Sequence, residues 1–180
     1  MMSPQNAPDN PILYQGRRFT IQGVTLQKRG GGTLQGEAAV TRNAVVILPL
    51  LDDDTVVLIR NERFVIGRTL LELPAGTIEE GEDPALCAAR ELVEETGYAA
   101  DELTRMLAYH PTPGFSTELQ TAYLARDLTF QGQQLDETER ITTEATPLDQ
   151  SIQMIRDNTI RDAKTIATLL YYQTFIRTDR

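Results

Sequence analysis

Gly76-Thr-Ile-Glu-Glu-Gly-Glu82-Asp-Pro-Ala-Leu-Cys-Ala-Ala-Arg90-Glu91-Leu92-Val-Glu94-Glu95-Thr-Gly97-Tyr98 reads as G-x5-E-x7-R-E-L-x-E-E-x-G-Y. Its local structure follows from the residues. Asp83 is a good N-cap, and Pro84 suits the first helical position, where its missing N–H costs nothing. Good helix formers continue from Ala85 to Glu95, and Gly97 supplies a left-handed C-terminal stop. Leu86, Ala89 and Val93 recur at i, i+3, i+7, which predicts the apolar face. Glu91 and Glu95 are i,i+4 neighbours and Glu91 and Glu94 are i,i+3 neighbours, so the three carboxylates are expected on one side.

Stacked like charges destabilise a helix by roughly 0.2–0.5 kcal/mol per pair. Their place near the C-terminal end also opposes the helix dipole. Hard divalent cations offset such a cost, because Mg²⁺ and Mn²⁺ take oxygen ligands and bridge carboxylates to phosphates. Glu91 or Glu95 alone reads as a solvated helix end. The whole set behind a glycine turn points to cation binding.

Outward from this segment, Phe19–Gln27 and Leu34–Val40 flank the flexible turn Arg29-Gly-Gly-Gly-Thr33, a hairpin signal. Ala44–Leu51 is a nearly continuous apolar run, as in a buried strand, and Thr55–Arg60 follows the turn Asp52-Asp-Asp54. Leu70–Gly76 is a short strand entering the glycine turn. Leu103–Tyr109 and Leu119–Leu124 are strand candidates, and the acidic loop Leu135–Arg140 precedes another short strand. Helices are expected over Leu148–Asp157 and from about Asp162 to Ile176. Three helices and a sheet predict a layered α+β domain.

The chain has 180 residues and a formal net charge of −9, which argues against nonspecific partnership with nucleic acid or an anionic membrane. No apolar run approaches a membrane span, and no basic start with an apolar stretch marks a signal peptide, so a cytoplasmic protein is expected. Cys87 is the single cysteine, which excludes an intrachain disulfide and reads as packing; the single histidine, His110, reads as structural.

The segment Gly76–Tyr98 resembles the Nudix box of the Nudix hydrolases, with Tyr98 in place of the usual aliphatic residue. Around it, Leu71-Glu72-Leu-Pro-Ala-Gly76 and Pro111-Thr-Pro-Gly-Phe-Ser-Thr-Glu118 resemble the ADP-ribose pyrophosphatase subfamily, whose proline beyond the box matches Pro113. The resemblance runs from about Tyr14 to the C-terminal helix. It implies a Nudix fold, an α/β/α sandwich around a mixed sheet with a small N-terminal antiparallel sheet. It also implies Mg²⁺-dependent hydrolysis (Mn²⁺ as the alternative) of ADP-ribose or another nucleoside diphosphate sugar such as GDP-mannose. A noncatalytic nucleotide-sugar sensor is the alternative of another class.

By the same resemblance, Glu91, Glu95 and the Ala75 carbonyl match metal ligands. Glu94 matches a further ligand or an orienting partner, and Glu82 a position with a metal or structural role. Arg90 is expected to hold a carboxylate by a bidentate pair within the catalytic set. In the loop Leu135–Arg140, Glu137 looks like the general base and Glu139 like an additional metal ligand. Arg60 and Arg63 resemble phosphate or ribose contacts, with Arg63 the better match. Gly114 and Glu118 join the substrate candidates, Glu118 either binding ribose or stabilising its loop. In relatives the N-terminal sheet pairs with a second subunit and reaches the adenine. Arg17, Arg18 and Phe19 occupy that stretch, and Phe19 reads equally as core. The resulting division is a tail of disordered composition over 1–10, a dimerisation sheet over 11–41 and the hydrolase domain over 42–180, with a homodimer expected.

Overall fold

The computed structural model describes residues 10–177 and divides them into two units. The tail expected over 1–10 therefore lies, except for Asn10, outside the described residues. One unit holds the described residues up to Asn43 together with His110–Leu119. In it, β1 (Ile12–Gln15), β2 (Phe19–Gln27) and β3 (Thr33–Thr41) form an antiparallel sheet in chain order. Gly31 and Gly32 make the β2–β3 turn at φ 90° and 79°, a conformation L side chains avoid. The segment 110–119, which the sequence division assigns to 42–180, joins this unit through backbone bonds. Ala39 N donates to the Phe115 carbonyl at 2.7 Å and Thr117 N to the Ala39 carbonyl at 3.0 Å. Ile12, Leu13, Tyr14, Phe19, Leu26 and Leu34 of the sheet are exposed.

The other unit contains β4 (Ala44–Asp52), β5 (Thr55–Arg63), β6 (Arg68–Glu72), β7 (Ala75–Thr77), α1 (Pro84–Thr96), β8 (Tyr98–Tyr109), β9 (Gln120–Phe130), β10 (Ile141–Pro147), α2 (Leu148–Arg156) and α3 (Ala163–Phe175). The strands run in the order β10-β5-β4-β9-β8, with β6 on β5 and β7 on β4. β4 and β9 are parallel and the other pairs antiparallel, so the sheet is mixed.

Strand β4 shows why the unit is a sandwich. Its side chains alternate between faces with period two. Val45 and Ile47 pack with Tyr123, Ala125 and, from α1, Cys87, Ala88 and Leu92. Val46, Leu48 and Leu50 pack on the other side with Leu148, Ile160, Leu169 and Tyr172 from the α2–α3 layer. A strand covered on both faces must be apolar throughout, which accounts for the continuous run in the sequence. Among the described residues no helix is long and apolar enough to cross a membrane.

The structure corrects two expectations. The buried face of α1 is Cys87, Ala88 and Leu92, with Glu95 and Thr96, whereas Leu86 is 67% exposed. The spacing of Leu86, Ala89 and Val93 fits a helix period, but so does the adjacent stripe. Turning the helix onto that stripe carries Glu91 and Glu95 toward β7 (Ala75–Thr77), the side where the cluster closes. The single strand expected over Leu70–Gly76 is two. Pro74 has no N–H to donate to a ladder, and β6 and β7 pair with different neighbours on either side of it.

The corrected face has a direct test. Leu92→Ala should cost about 2–5 kcal/mol, the range for emptying a filled core site. Leu86→Ala should stay within about 0.5 kcal/mol, as for an exposed position. Urea unfolding of both variants checks this, and the reverse order would restore the first face.

Candidate active site

The box begins at a loop that caps itself. Glu79 N donates to Glu82 Oε2 at 2.8 Å, and Asp83 Oδ1 accepts from Ala85 N at 2.8 Å to start α1. The helix stops at Gly97, φ 78°. A Cβ there would lie 2.8 Å from the backbone of Gly132 and Gln133, so close approach adds to the conformational demand.

One guanidinium organises the helix carboxylates. Arg90 donates through Nε and Nη2 to the two oxygens of Glu82, at 3.0 and 3.2 Å. Its Nη1 donates to Glu91 Oε1 at 2.8 Å and Glu94 Oε2 at 2.9 Å. The bidentate role read from the sequence is present, with Glu82 as partner, and the same side chain gathers two further carboxylates. The bonds from Arg90 hold the Glu82 carboxyl down to about 2. Those to Glu82 likewise raise the proton affinity of Arg90.

Glu95 lacks that guanidinium, and Glu91 has it on one oxygen only. A Cβ built on Gly76 would fall 1.8 Å from the Glu91 carboxyl carbon, so only glycine leaves room for that carboxylate. Glu95 is 3% exposed, and its Oε2 accepts from Ala75 N at 2.8 Å. Burial, reinforced by the charges of Glu91 and Glu139, pushes the Glu95 carboxyl up to about 8. Burial raises Glu91 as well, helped by Glu94 and Glu139. Burial is the main cause at both carboxyls; like charge adds to it, and at Glu91 the bond from Arg90 offsets part of the rise.

The later loop is strapped to the end of α1. Gln131 N and Gly132 N donate to the Gly97 carbonyl at 2.7 and 3.1 Å, Gln134 N to the Glu94 carbonyl at 3.1 Å, and Gln133 Nε2 to the Glu95 carbonyl at 2.6 Å. Within the loop Glu139 Oε2 accepts from Asp136 N at 3.0 Å. The structure thus brings Glu139 into electrostatic range of Glu91 and Glu95, and leaves Glu137 exposed at the turn.

Other sequence candidates fall elsewhere. Arg60 pairs with Glu144 at 2.7 Å on the surface. Arg63 forms a fork on Glu72, Nε to Oε1 at 2.8 Å and Nη2 to Oε2 at 2.6 Å. Arg18, Phe19, Gly114 and Glu118 belong to the N-terminal unit. Phe19 is 45% exposed and tilts against Tyr14 at 6.4 Å, so it is not core. His110 Nδ1 lies 2.7 Å from the Glu118 carbonyl, the structural part expected of it. Cys87 is buried, and burial pushes its thiol up to about 12, which suits packing. Sequence reasoning missed the buried network of Glu72 and Lys164. Its one signal was a glutamate inside the apolar run Leu70-Leu-Glu-Leu.

Among the described residues no group of three or more acidic, histidine or cysteine side chains closes into a metal cage. The donor set nonetheless fits a hard divalent cation. It consists of oxygens, burial raises the Glu95 carboxyl to about 8 and Glu91 in the same direction, and glycine keeps the space beside Glu91 open.

Burial of Glu95 has a measurable consequence without metal. Its carboxyl rises from an ordinary 4.5 to about 8, so the folded state holds the proton more tightly than the unfolded chain. That contribution is complete below about 4.5 and is lost as pH climbs through about 8. Thermal unfolding in EDTA should show stability falling across this window. Glu95→Gln should flatten the slope and be the more stable protein at the alkaline end, and an unchanged slope would refute the assignment.

Comparison with known proteins gives the family. The NUDIX domain profile matches residues 40–169. An ADP-ribose pyrophosphatase of Bacillus subtilis (strain 168) is 30% identical over 163 residues, 89% of this chain and 88% of that protein. A GDP-mannose pyrophosphatase of Salmonella typhimurium is 31% identical over 170 residues, 87% of this chain and 88% of that protein. A crystal structure of an ADP compounds hydrolase superposes with a TM-score of 0.83 at 26% identity, covering 95% of each chain. A mixed sheet between α1 and the α2–α3 layer, a box helix whose carboxylates close on Gly76, and a family match over most of the chain identify it as a member of the Nudix family with the Nudix fold.

Proposed function

We propose that this Nudix pyrophosphohydrolase cleaves the diphosphate bond of ADP-ribose, or a closely related nucleoside diphosphate sugar, to a nucleoside monophosphate and a sugar phosphate, and that it requires Mg²⁺. The observation that carries the reading is the closure of Glu91 and Glu95 on the backbone of Ala75 and Gly76, since buried carboxylates gathered against one another gain from a bound cation. The Bacillus relative named for ADP-ribose supports the substrate, and the Salmonella relative named for GDP-mannose supports the alternative. A sensor without catalysis has no use for a complete carboxylate set.

Glu91, Glu95, Glu139 and the Ala75 carbonyl are the ligands we assign, with Glu82 at the edge, committed to Arg90. When bound, Mg²⁺ (or Mn²⁺) neutralises diphosphate charge and lowers the pKa of the attacking water. Arg90 fixes Glu91 and Glu94 and keeps their mutual repulsion from splaying the cluster. Glu137 takes the proton from water; its exposure leaves it free to approach substrate. Arg63, Arg60, Arg18, Phe19, Gly114 and Glu118 are assigned to the nucleotide sugar. The exposed apolar residues of the N-terminal sheet support a homodimer. One buried cysteine, which asks for no oxidising compartment, supports a cytoplasmic setting.

Phosphate release from ADP-ribose, GDP-mannose and other nucleotide sugars, coupled to a phosphatase and run with Mg²⁺ or EDTA, tests the reaction. Glu95→Gln should lower turnover about 10²–10³-fold, the scale of one lost electrostatic stabiliser. Near-normal turnover in a folded Glu95→Gln protein sinks the metal site.

The two loop glutamates should separate. Glu137→Gln should lower kcat with KM and Mg²⁺ affinity nearly unchanged, because a base acts in the transition state. Glu139→Gln should weaken apparent Mg²⁺ affinity and recover with excess metal. Metal titrations of both variants decide it, and exchanged phenotypes reverse the assignment.

A further inference from the structure

Beside the carboxylate cluster lies a second set of charges that the box does not explain. Glu72, at the end of β6, is fully buried, yet it carries the fork from Arg63 and an ion pair from Lys164. Lys164 is itself 8% exposed and also pairs with Asp162 at 2.9 Å. Asp162 caps α3, accepting from Thr165 N at 3.0 Å and Thr165 Oγ1 at 2.6 Å, and Leu73 N donates to Thr165 Oγ1 at 2.8 Å. The first turn of α3 therefore grips Glu72 by its side chain and Leu73 by its backbone. Two residues later Ala75 receives Glu95.

Stability alone accounts poorly for this arrangement. Desolvating such ions costs about as much as their attraction returns, and apolar residues of similar volume do as well or better. What the network produces is a fixed guanidinium. Glu72 occupies the Nε–Nη2 edge of Arg63. Nη1 has no acceptor among the described residues, and the side chain is 41% exposed. Arg63 is also near enough to Glu95 for each charge to favour the other. A guanidinium pinned on one edge, open on the other and adjacent to a cation site is shaped to receive an anionic oxygen.

We infer that Glu72 and Lys164 are positioning residues: they lock Arg63 so that its open edge meets the diphosphate of the substrate. The inference rests on the hydrolase reading above. Lys164 acts through Glu72, at a sequence distance of 92 residues, and touches no substrate.

Kinetics of Lys164→Met, Glu72→Gln, Arg63→Ala and the double variant Arg63→Ala/Lys164→Met test it. Lys164→Met should raise KM for the nucleotide sugar about tenfold or more, the scale of a weakened charge-assisted hydrogen bond. Lys164→Arg should recover most of that loss. In the Arg63→Ala background Lys164→Met should change kcat/KM no further, because the group it positions is gone. If Lys164→Met yields no folded protein, Glu72→Gln carries the same expectation. A purely structural network lowers Tm, leaves KM alone and gives independent effects in the double variant, which would overturn the inference. Calorimetric binding of inorganic pyrophosphate with Mg²⁺ provides a readout without turnover. A wild type that hydrolyses no nucleotide sugar overturns the hydrolase reading. Pyrophosphate bound equally by wild type, Arg63→Ala and Lys164→Met overturns this one.

Discussion

Glu91 rests on the α-carbon of Gly76, and much of the unit containing it is arranged around that contact. It requires a residue without a side chain at 76, a helix turned so that Glu91 and Glu95 face β7, and a buried stripe that permits the turn. Cys87, Ala88 and Leu92 supply the stripe against Val45 and Ile47. The sheet seats β7 on β4 through the pairs Ala44–Thr77, Val45–Gly76 and Val46–Ala75. The parts of the core that hold α1 down are thus the same parts that hold the carboxylates in place.

This closure costs stability. Burial raises both carboxyls, Glu95 to about 8, so holding them there as anions is unfavourable, and strain of this kind often marks functional sites. Arg90 limits the cost on the exposed side by taking Glu82, Glu91 and Glu94 together. It does not reach Glu95, which is relieved by the Ala75 N–H and by the charge of Arg63. Counter-charge is therefore uneven. It is ample at the helix start, where Glu82 is held low, and scarce at Glu95, one of the cation ligands proposed above.

Local physics was legible in the sequence; relative orientation was not. The Asp83 cap, the Gly97 stop and the apolar strand Ala44–Leu51 depend on neighbouring residues, and they stand as read. The face of α1 depends on what it meets. A helical stripe and its neighbour are both compatible with the period, and only the seat of Glu91 on Gly76 selects between them. The Glu72–Lys164 pair joins β6 to α3, and nothing near Lys164 in the chain announces a partner. The loop glutamates are a middle case: their presence was readable, but their separation into one residue facing the cluster and one facing outward was not.

That separation follows from how the loop is tied. Gln131 to Gln134 bond the exposed carbonyls at the end of α1, which a helix leaves without partners of its own. At its far end Glu62 N donates to the Arg140 carbonyl at 3.3 Å. Glu139 stands one residue from that anchor on β5 and is further held by Asp136 N, so its position is tied to the strand and to the loop's own turn. Glu137 sits at the turn between the anchors, where fewer bonds constrain it. A ligand profits from rigid placement, because a cation tolerates little change in its oxygens. A general base profits from reach, because its hydrogen bond to water forms only once substrate is present. On the roles proposed for Glu139 and Glu137, the loop, tied to α1 at one end and to β5 at the other, supplies both conditions two residues apart.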